Sequence, residues 1–270
     1  PQAIEIYREH GIDLKRPLCV DVCFQHNNGG LAVDTSWQTA ISGLFAIGEL
    51  AGTHGVRRPG GAALNSGQVG VARAAKYLLE LSRSTGEEEV TGLLRQAAGQ
   101  VWRESQRMVS QRGLQHQIVR KEIQQRMSQA AGFLRYPSLV AEALKQARKL
   151  LREIENRGLS AKKSQLVTAW ETKSLVLTHL AFLASIDFYL RKGGGSRGSY
   201  LVVVEDTFRE KAVFSVNNKQ GEVFRCRKEK LSDRGFKIVV DREGNCQAVR
   251  VKPLPKDDSW FETIWKCTGK

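Results

Sequence analysis

The sequence lacks the features that assign a chain to a membrane, to secretion or to a disulfide-stabilised fold. No apolar run reaches the roughly 20 residues that a membrane span needs, and no charged segment followed by an apolar one opens the chain. The five cysteines are an odd number, widely scattered in a chain too long to need disulfides for stability. These absences predict a cytoplasmic protein with reduced thiols and no membrane span.

Motifs for metal binding and for nucleophilic catalysis are also missing. Cys19 and Cys23 have three residues between them, but no second close pair of cysteines completes a zinc site. No Gly-x-Ser-x-Gly sequence is present, so nothing indicates the nucleophilic serine of a hydrolase. We therefore predict neither a metal site nor that type of covalent catalysis.

Acidic residues are scarce relative to basic ones. Lys and Arg number 42 against 28 Asp and Glu, which gives a formal net charge of +14 and favours an anionic partner. Much of the excess lies in residues 101–160, where 12 Lys or Arg accompany 5 Asp or Glu in a helical pattern with few aromatic residues. A solvated helical face explains this pattern better than a nucleic-acid site does, and a site for nucleic acid or an acidic protein is the alternative.

The hydrophobic pattern divides the chain into three parts. Residues 1–82 combine short apolar segments, glycine-rich turns and helices, residues 83–195 have an almost continuous helical pattern, and residues 196–270 alternate with a period of two. We predict an α/β half-domain, then an α-helical domain, then a small antiparallel β module. The expected helices are residues 3–10, 66–81, 88–134, 137–157 and 163–192. The expected strands are residues 18–24, 31–34, 44–47, 201–204, 212–216, 222–225, 236–241 and 248–251.

Residues 43–67 are the most informative stretch of the sequence. The apolar run 44–47 is typical of a buried strand, and Glu49 follows it, at the place where open α/β sheets bind ligands. His54 and Arg58 come next among five glycines, which let a ligand approach the backbone closely while cations stand beside it. The glycines are Gly48, Gly52, Gly55, Gly60 and Gly61. This combination favours a large anionic cofactor or substrate.

Three segments, in order and in spacing, resemble the flavoproteins of the succinate dehydrogenase, fumarate reductase and L-aspartate oxidase superfamily. Those proteins carry His-x-x-Met-Gly-Gly, then a strand that ends in Gly-Glu, then His-Gly-x-x-Arg-x-Gly-Gly before a helix. The matching segments here are Gln25–Leu31, Gly43–Glu49 and His54–Gly61. The resemblance implies that residues 1–82 are the C-terminal part of an FAD-binding domain, that is, an α/β FAD-binding half-domain.

The resemblance implies FAD as the cofactor. It makes the Glu49 carboxylate the acceptor of hydrogen bonds from hydroxyl groups of the cofactor, because a carboxylate offers only acceptors. It also places the start of a helix near Ala63 at the flavin, where the free N–H groups would favour the reduced, anionic form. The implied cofactor-binding residues are Gly30, Gly48, Glu49, Ala63, Leu64, Asn65 and Ser66.

The resemblance also implies a site for a small anionic substrate. Arg58 matches the arginine that clamps a substrate carboxylate, since its planar guanidinium can donate two parallel hydrogen bonds. His54, in the same turn, can add a hydrogen bond. His26 follows Gln25, which holds the position of the family's dicarboxylate-binding histidine, and it fits a turn-stabilising role equally well. Gln25 argues against fumarate or succinate as the substrate.

One part of the family pattern is missing from the chain. The Gly-x-Gly-x-x-Gly fingerprint after a strand, which binds the pyrophosphate of the cofactor, does not occur, and the first residue is Pro1, within a helical pattern. We therefore expect the C-terminal portion of an FAD-dependent oxidoreductase, inactive alone, whose site is completed by the upstream part of the same flavoprotein. The alternative is a non-enzymatic basic helical module that binds nucleic acid or an acidic protein.

Overall fold

The computed structural model describes residues 2–18, 28–55, 60–81, 87–110, 112–197, 200–204, 212–216, 219–223, 226–228 and 236–250. The chain divides into two compact units, residues 1–83 and residues 84–270. The predicted strand 18–24 lies almost wholly outside the described residues, and His26 and Arg58 lie outside them too.

Two helices and a short turn make up the regular structure described in the first unit. Helix α1 spans Gln2–Glu9, a 3-10 turn spans Gly48–Leu50, and helix α2 spans Ala62–Glu80. The periodic pattern predicts both helices but starts the second one too late, at residue 66, whereas the helix start near Ala63 that the resemblance implies agrees with the structure. The helix begins earlier because Gly61, with φ +79°, adopts the left-handed conformation that turns the chain into it.

The strands predicted at residues 31–34 and 44–47 are wrong. Within the described part of this unit, β pairing is limited to two isolated bridges. They pair Gly30 with Ala51 and Gln38 with Phe45. The N–H of Ala46 donates to the carbonyl of Trp37 at 3.1 Å, so the predicted strand 44–47 folds back on the nearby residues around Trp37. A strand needs extended partners, and a local apolar pattern cannot show whether they are present.

Trp37 packs against α2 at a glycine. A Cβ on Gly70 would lie 2.4 Å from the indole Nε1 of Trp37, so a larger residue there requires the ring to move. Trp37 itself has φ +63°, a conformation that non-glycine residues rarely adopt and that surrounding packing must hold. The small buried cluster of this unit consists of Trp37, Ala46, Ala51 and Ala74.

Gly70→Ala is expected to lower the free energy of unfolding by about 1–3 kcal/mol, because the added methyl group displaces a buried ring. Urea denaturation measures the change. Gly67→Ala is the matched control in the same helix, since its Cβ would lie at an ordinary 3.6 Å from the Cα of Gly48. The free energy of unfolding of the control should rise by up to about 1 kcal/mol, because alanine has a higher helix propensity than glycine. Equal losses in both variants would contradict this packing.

Four helices form the core of the second unit. They are α3 (Glu87–Val109), α4 (His116–Ala130), α5 (Pro137–Arg157) and α6 (Leu166–Arg191), the last preceded by a 3-10 turn at Lys163–Gln165. Helix α6 is central because it packs against the other three. The buried side chains between them include Met108, Ile123, Leu144, Val176 and Leu183.

The single helix predicted over residues 88–134 is wrong, because the chain turns between α3 and α4. There, strand β1 (Leu114–Gln115) pairs in parallel with strand β3 (Leu159–Ser160), which follows α5. Gly113 permits this approach, since a Cβ on it would lie 2.6 Å from the carbonyl oxygen of Gly158. Pairing between segments so far apart in the sequence leaves no periodic signal, so the break could not be predicted.

Among the residues that the structure describes, the remaining strands of this unit form three two-stranded sheets. They are β2 (Leu134–Arg135), β4 (Leu201–Val202), β5 (Ala212–Val216), β6 (Lys219–Val223), β7 (Phe236–Val240) and β8 (Cys246–Arg250). The predicted antiparallel pairing is present in the β5–β6 and β7–β8 hairpins. Strand β4 instead pairs in parallel with β2, which lies between α4 and α5 in the chain. The β7–β8 hairpin packs against α6, and Arg148 of α5 donates to the carbonyl of Gly244 at 2.8 Å.

Helix α6 with its preceding turn, Lys163–Arg191, is long and apolar enough to cross a membrane when only length and composition are considered. In this structure it lies among α3, α4 and α5. It also buries three polar side chains, those of Thr172, His179 and Asp187. These are the surroundings of a core helix, so its apolar character gives only weak support for a membrane span.

A buried polar network joins α4, α5 and α6. Nδ1–H of His179 donates to the carbonyl of Leu175 at 3.1 Å, which leaves Nε2 to accept a hydrogen bond from Arg126 at 3.3 Å. Arg126 also donates to Gln146 at 3.3 Å and pairs with Glu122. Burial lowers the pKa of His179, the hydrogen bond to Leu175 opposes this shift, and the charge of Arg126 reinforces it.

The free energy of unfolding is expected to fall as the pH drops below the ordinary histidine pKa of about 6.5, because the unfolded state then binds a proton that folded His179 resists. In His179→Gln this pH dependence of the free energy of unfolding should disappear. In His10→Gln, at an exposed histidine after α1, it should remain. Urea denaturation from about pH 7 to pH 5 measures both slopes. An unchanged slope in His179→Gln would show that another group is responsible.

Candidate functional site

The Gly48–Leu50 turn is held beside the start of α2. A Cβ on Gly67 would lie 3.6 Å from the Cα of Gly48, and the hydroxyl groups of Thr53 and Ser66 are hydrogen-bonded at 2.7 Å. The loop after the turn is therefore fixed to the first part of the helix. This arrangement places the acid of the turn, Glu49, near the helix N-terminus.

The Gly-Gly pair of the sequence approaches the same turn. The N–H of Leu31 donates to the carbonyl oxygen of Leu50 at 2.7 Å. A Cβ on Gly30 would lie 2.3 Å from that oxygen, so a side chain cannot be accommodated without movement of the backbone. Three segments that are separate in the sequence thus meet at one place in the first unit.

Glu49 and His54 form a carboxylate–imidazole pair at this place. Nδ1 of His54 lies 3.9 Å from Oε1 of Glu49. The His54 side chain is 7% exposed, and neither of its ring nitrogens has a hydrogen-bond partner in the part of the chain that the structure describes. Leaving such a buried polar group unsatisfied costs about 1–3 kcal/mol. The Glu49 side chain is 44% exposed, so the pair can bind a polar ligand from solvent.

The N-terminus of α2 has no side-chain cap and no acid of its own, and Glu49 of the neighbouring turn lies near it. Gly61 precedes the helix, no side chain caps it, and its first turn contains no acid. The first amide groups of a helix have no partner within the helix, and this end carries a partial positive charge. Ala63 is half-buried, whereas Leu64 and Asn65 are exposed. This end of the helix suits a negatively charged or hydrogen-bond-accepting group.

The seven cofactor-binding residues predicted from the sequence all lie in these three segments. They are Gly30, Gly48, Glu49, Ala63, Leu64, Asn65 and Ser66. Of the predicted catalytic residues, His54 contacts Glu49, whereas His26 and Arg58 lie outside the described residues. The roles of all of these residues toward a ligand stay predictions.

Thr53, whose hydroxyl group fixes the loop to α2, was not predicted as a site residue. No sequence pattern pointed to it, because its partner is in the next helix. Across the described ranges, no three His, Cys, Asp or Glu side chains are close enough together to hold a metal ion.

Residues 22–64 match the family model of the FAD binding domain. This stretch contains Gly30, Glu49 and His54, and it ends within the first turn of α2. The matched segment therefore indicates FAD as the cofactor.

Known flavoproteins share longer stretches with this chain. An uncharacterized FAD-dependent oxidoreductase of Methanocaldococcus jannaschii is 39% identical over 92 residues, which cover 31% of this chain and 17% of the relative. The fumarate reductase flavoprotein subunit of Escherichia coli K12 is 30% identical over 138 residues, which cover 50% of this chain and 23% of the relative. A solved structure of a mutant E. coli quinol fumarate reductase has the same fold over 86% of this chain and 42% of its own, with a TM-score of 0.56 and 22% identity.

The chain is thus similar to an FAD-dependent oxidoreductase and to a fumarate reductase flavoprotein subunit, and it spans less than half the length of the proteins it matches. The residues present fit FAD. A half-exposed carboxylate can accept from cofactor hydroxyl groups, a buried imidazole lacks partners, and an uncapped helix N-terminus suits a reduced flavin.

Proposed function

We propose that the chain is the C-terminal part of an FAD-dependent oxidoreductase that acts on a small anionic substrate. The observation that carries this proposal is the meeting of Glu49, His54 and the uncapped N-terminus of α2 within the segment that matches an FAD binding domain. FAD, when bound, supplies hydride transfer at its N5 atom.

In this proposal Glu49 accepts hydrogen bonds from cofactor hydroxyl groups, and the imidazole of His54 lies beside it, with Nδ1 3.9 Å from the carboxylate. The free amide groups at the start of α2, those of Ala63 and Leu64, stabilise negative charge on the reduced cofactor. Thr53 positions the loop through its hydrogen bond to Ser66. Each of these groups comes from this chain.

Substrate binding is assigned to Arg58, with His54 and His26 as the neighbouring hydrogen-bonding groups. The support is the spacing of the motif, in which Arg58 follows His54 and precedes the Gly-Gly pair. A guanidinium binds a carboxylate through two parallel hydrogen bonds, which fixes the orientation of the substrate. Gln25 replaces the histidine of dicarboxylate enzymes, so the substrate is proposed to be an anion other than fumarate or succinate.

The upstream part of the same flavoprotein is proposed to complete the site. Five large apolar side chains around the segments that form the site are exposed. They are Leu31, Leu44, Ile47, Leu50 and Leu64, each at least 45% exposed. Apolar surface of this kind is typical of an interface. We propose that the upstream half of the FAD domain covers it, in a protein of the cytoplasm, and that the chain alone is inactive.

The alternative of a basic module for nucleic acid has less support. On α5, Lys145 lies 3.9 Å from Glu142 and Lys149 lies 3.7 Å from Glu153. Acids interleaved with the lysines reduce the positive potential that binding to phosphates requires. The charges of this helix are better explained as a solvated face.

Reoxidation of the reduced flavin tests the proposed reaction. The chain with its upstream coding sequence restored is reduced anaerobically and then mixed with small unsaturated carboxylates and with their methyl esters, while the visible flavin absorbance is recorded. Recovery of the absorbance with an acid but not with its ester is expected, because Arg58 binds the carboxylate. Equal recovery with acids and esters would rule out the anionic site.

A further inference from the structure

A cavity of about 480 Å³ opens beside the N-terminus of α4, in the second unit. His116, Gln117, Arg120 and Lys121 of α4 line it, together with Gln165 and Thr168 from the segment around the start of α6. All of these residues are polar or basic. The volume is within the range of about 300–1,000 Å³ that small-molecule sites occupy.

The charges around this cavity favour an anion. Helix α4 has no side-chain cap at Gln115 and no acid in its first turn, so the partial positive charge of this end is uncompensated. Arg120 is held in place by Glu171 at 2.8 Å and by Thr172 at 3.1 Å, and the carboxylate offsets part of its charge. Lys121 forms no ion pair with any residue that the structure describes.

His116, in the wall of the cavity, has unsatisfied ring nitrogens. His116 is 3% exposed, and neither ring nitrogen has a hydrogen-bond partner in the described ranges. A neutral imidazole always has one N–H donor, and burying it without a partner costs about 1–3 kcal/mol. A ligand oxygen in the adjoining cavity would supply the partner.

We propose that this cavity binds a small organic molecule through an oxyanion group, a phosphate or a carboxylate. The helix N-terminus and Lys121 attract the charge, Arg120 and the hydroxyl of Thr168 orient the group, and His116 donates a hydrogen bond to it. The site lies wholly within residues 116–168. It does not depend on the proposed flavin chemistry.

The test is a titration followed by two-dimensional NMR of backbone amides and of the histidine ring. The chain of 270 residues is titrated with inorganic phosphate and separately with succinate, each against sodium chloride at equal ionic strength. Saturable shifts confined to the first turn of α4 and to the His116 ring are expected with at least one oxyanion. The stronger of the two responses identifies the group. Identical shifts with sodium chloride, or no saturable shift, would overturn the proposal.

Two variants and a charge-matched control distinguish a specific anion-binding site from non-specific electrostatic attraction. Lys121→Gln, at an exposed position, should weaken affinity for the responding anion about fivefold or more, whereas Lys149→Gln on α5 should leave it unchanged. His116→Phe should abolish the saturable shift while the chain stays folded, since it replaces an unsatisfied polar ring by an apolar one. Equal effects of both lysine variants, or an unchanged response in His116→Phe, would overturn the proposal.

Discussion

Arg58→Lys is expected to lower kcat/KM for the anionic substrate by about 100-fold in the protein with its upstream part, because an ammonium cannot form the two parallel hydrogen bonds of a guanidinium. The affinity for FAD is expected to change by less than about twofold, since Arg58 acts on the substrate. Steady-state kinetics measures the first quantity, and titration of the apoprotein with FAD measures the second.

Arg57→Lys is the matched control, because it makes the same chemical change one residue away, at a variable position of the family motif. It should leave both quantities close to those of the original protein. If Arg58→Lys weakened FAD binding as much as substrate turnover, Arg58 would be part of the cofactor site or of the fold, and its assignment to the substrate would be wrong.

Glu49→Gln is expected to weaken FAD binding by about 10- to 100-fold, the range that corresponds to the loss of a hydrogen bond to a charged acceptor. The substitution keeps the size of the side chain but removes its charge and turns one acceptor into a donor. It also removes the partner that lies 3.9 Å from Nδ1 of His54. Fluorescence titration with FAD, on the protein with its upstream part, measures the change.

Glu80→Gln serves as the control for Glu49→Gln, since Glu80 is an exposed acid at the opposite end of α2. It should bind FAD as the original protein does. Thermal melting of both variants without FAD separates a binding effect from unfolding. A folded Glu49→Gln protein with unchanged affinity for FAD would remove Glu49 from the cofactor site.

The sequence predicted helix ends well where a residue that favours the start or the end of a helix stands there. Pro137 stands in the first turn of α5 and Gly158 follows its last residue, so both ends were visible in the sequence. The turn between β7 and β8 was predicted for the same reason, since Gly244 adopts φ +79°. These features depend only on neighbours along the chain.

Features that depend on distant segments could not be predicted. The break between α3 and α4 results from pairing of β1 with β3, and the loop around Ala46 replaces a predicted strand because its partner is Trp37. In the candidate site, the residue types of Glu49 and His54 were visible in the motif, but their 3.9 Å separation was not. The unsatisfied imidazole of His116 gave no signal, because burial is a property of the folded chain.

An absorbance spectrum from about 300 to 550 nm shows whether this chain is one half of a flavin site, because bound flavin absorbs in this range. It is recorded on the purified chain of 270 residues and on the protein with its upstream coding sequence restored. We expect a flavin spectrum in the longer protein and none in the shorter one. The absence of flavin from both, after incubation with FAD, would contradict this expectation.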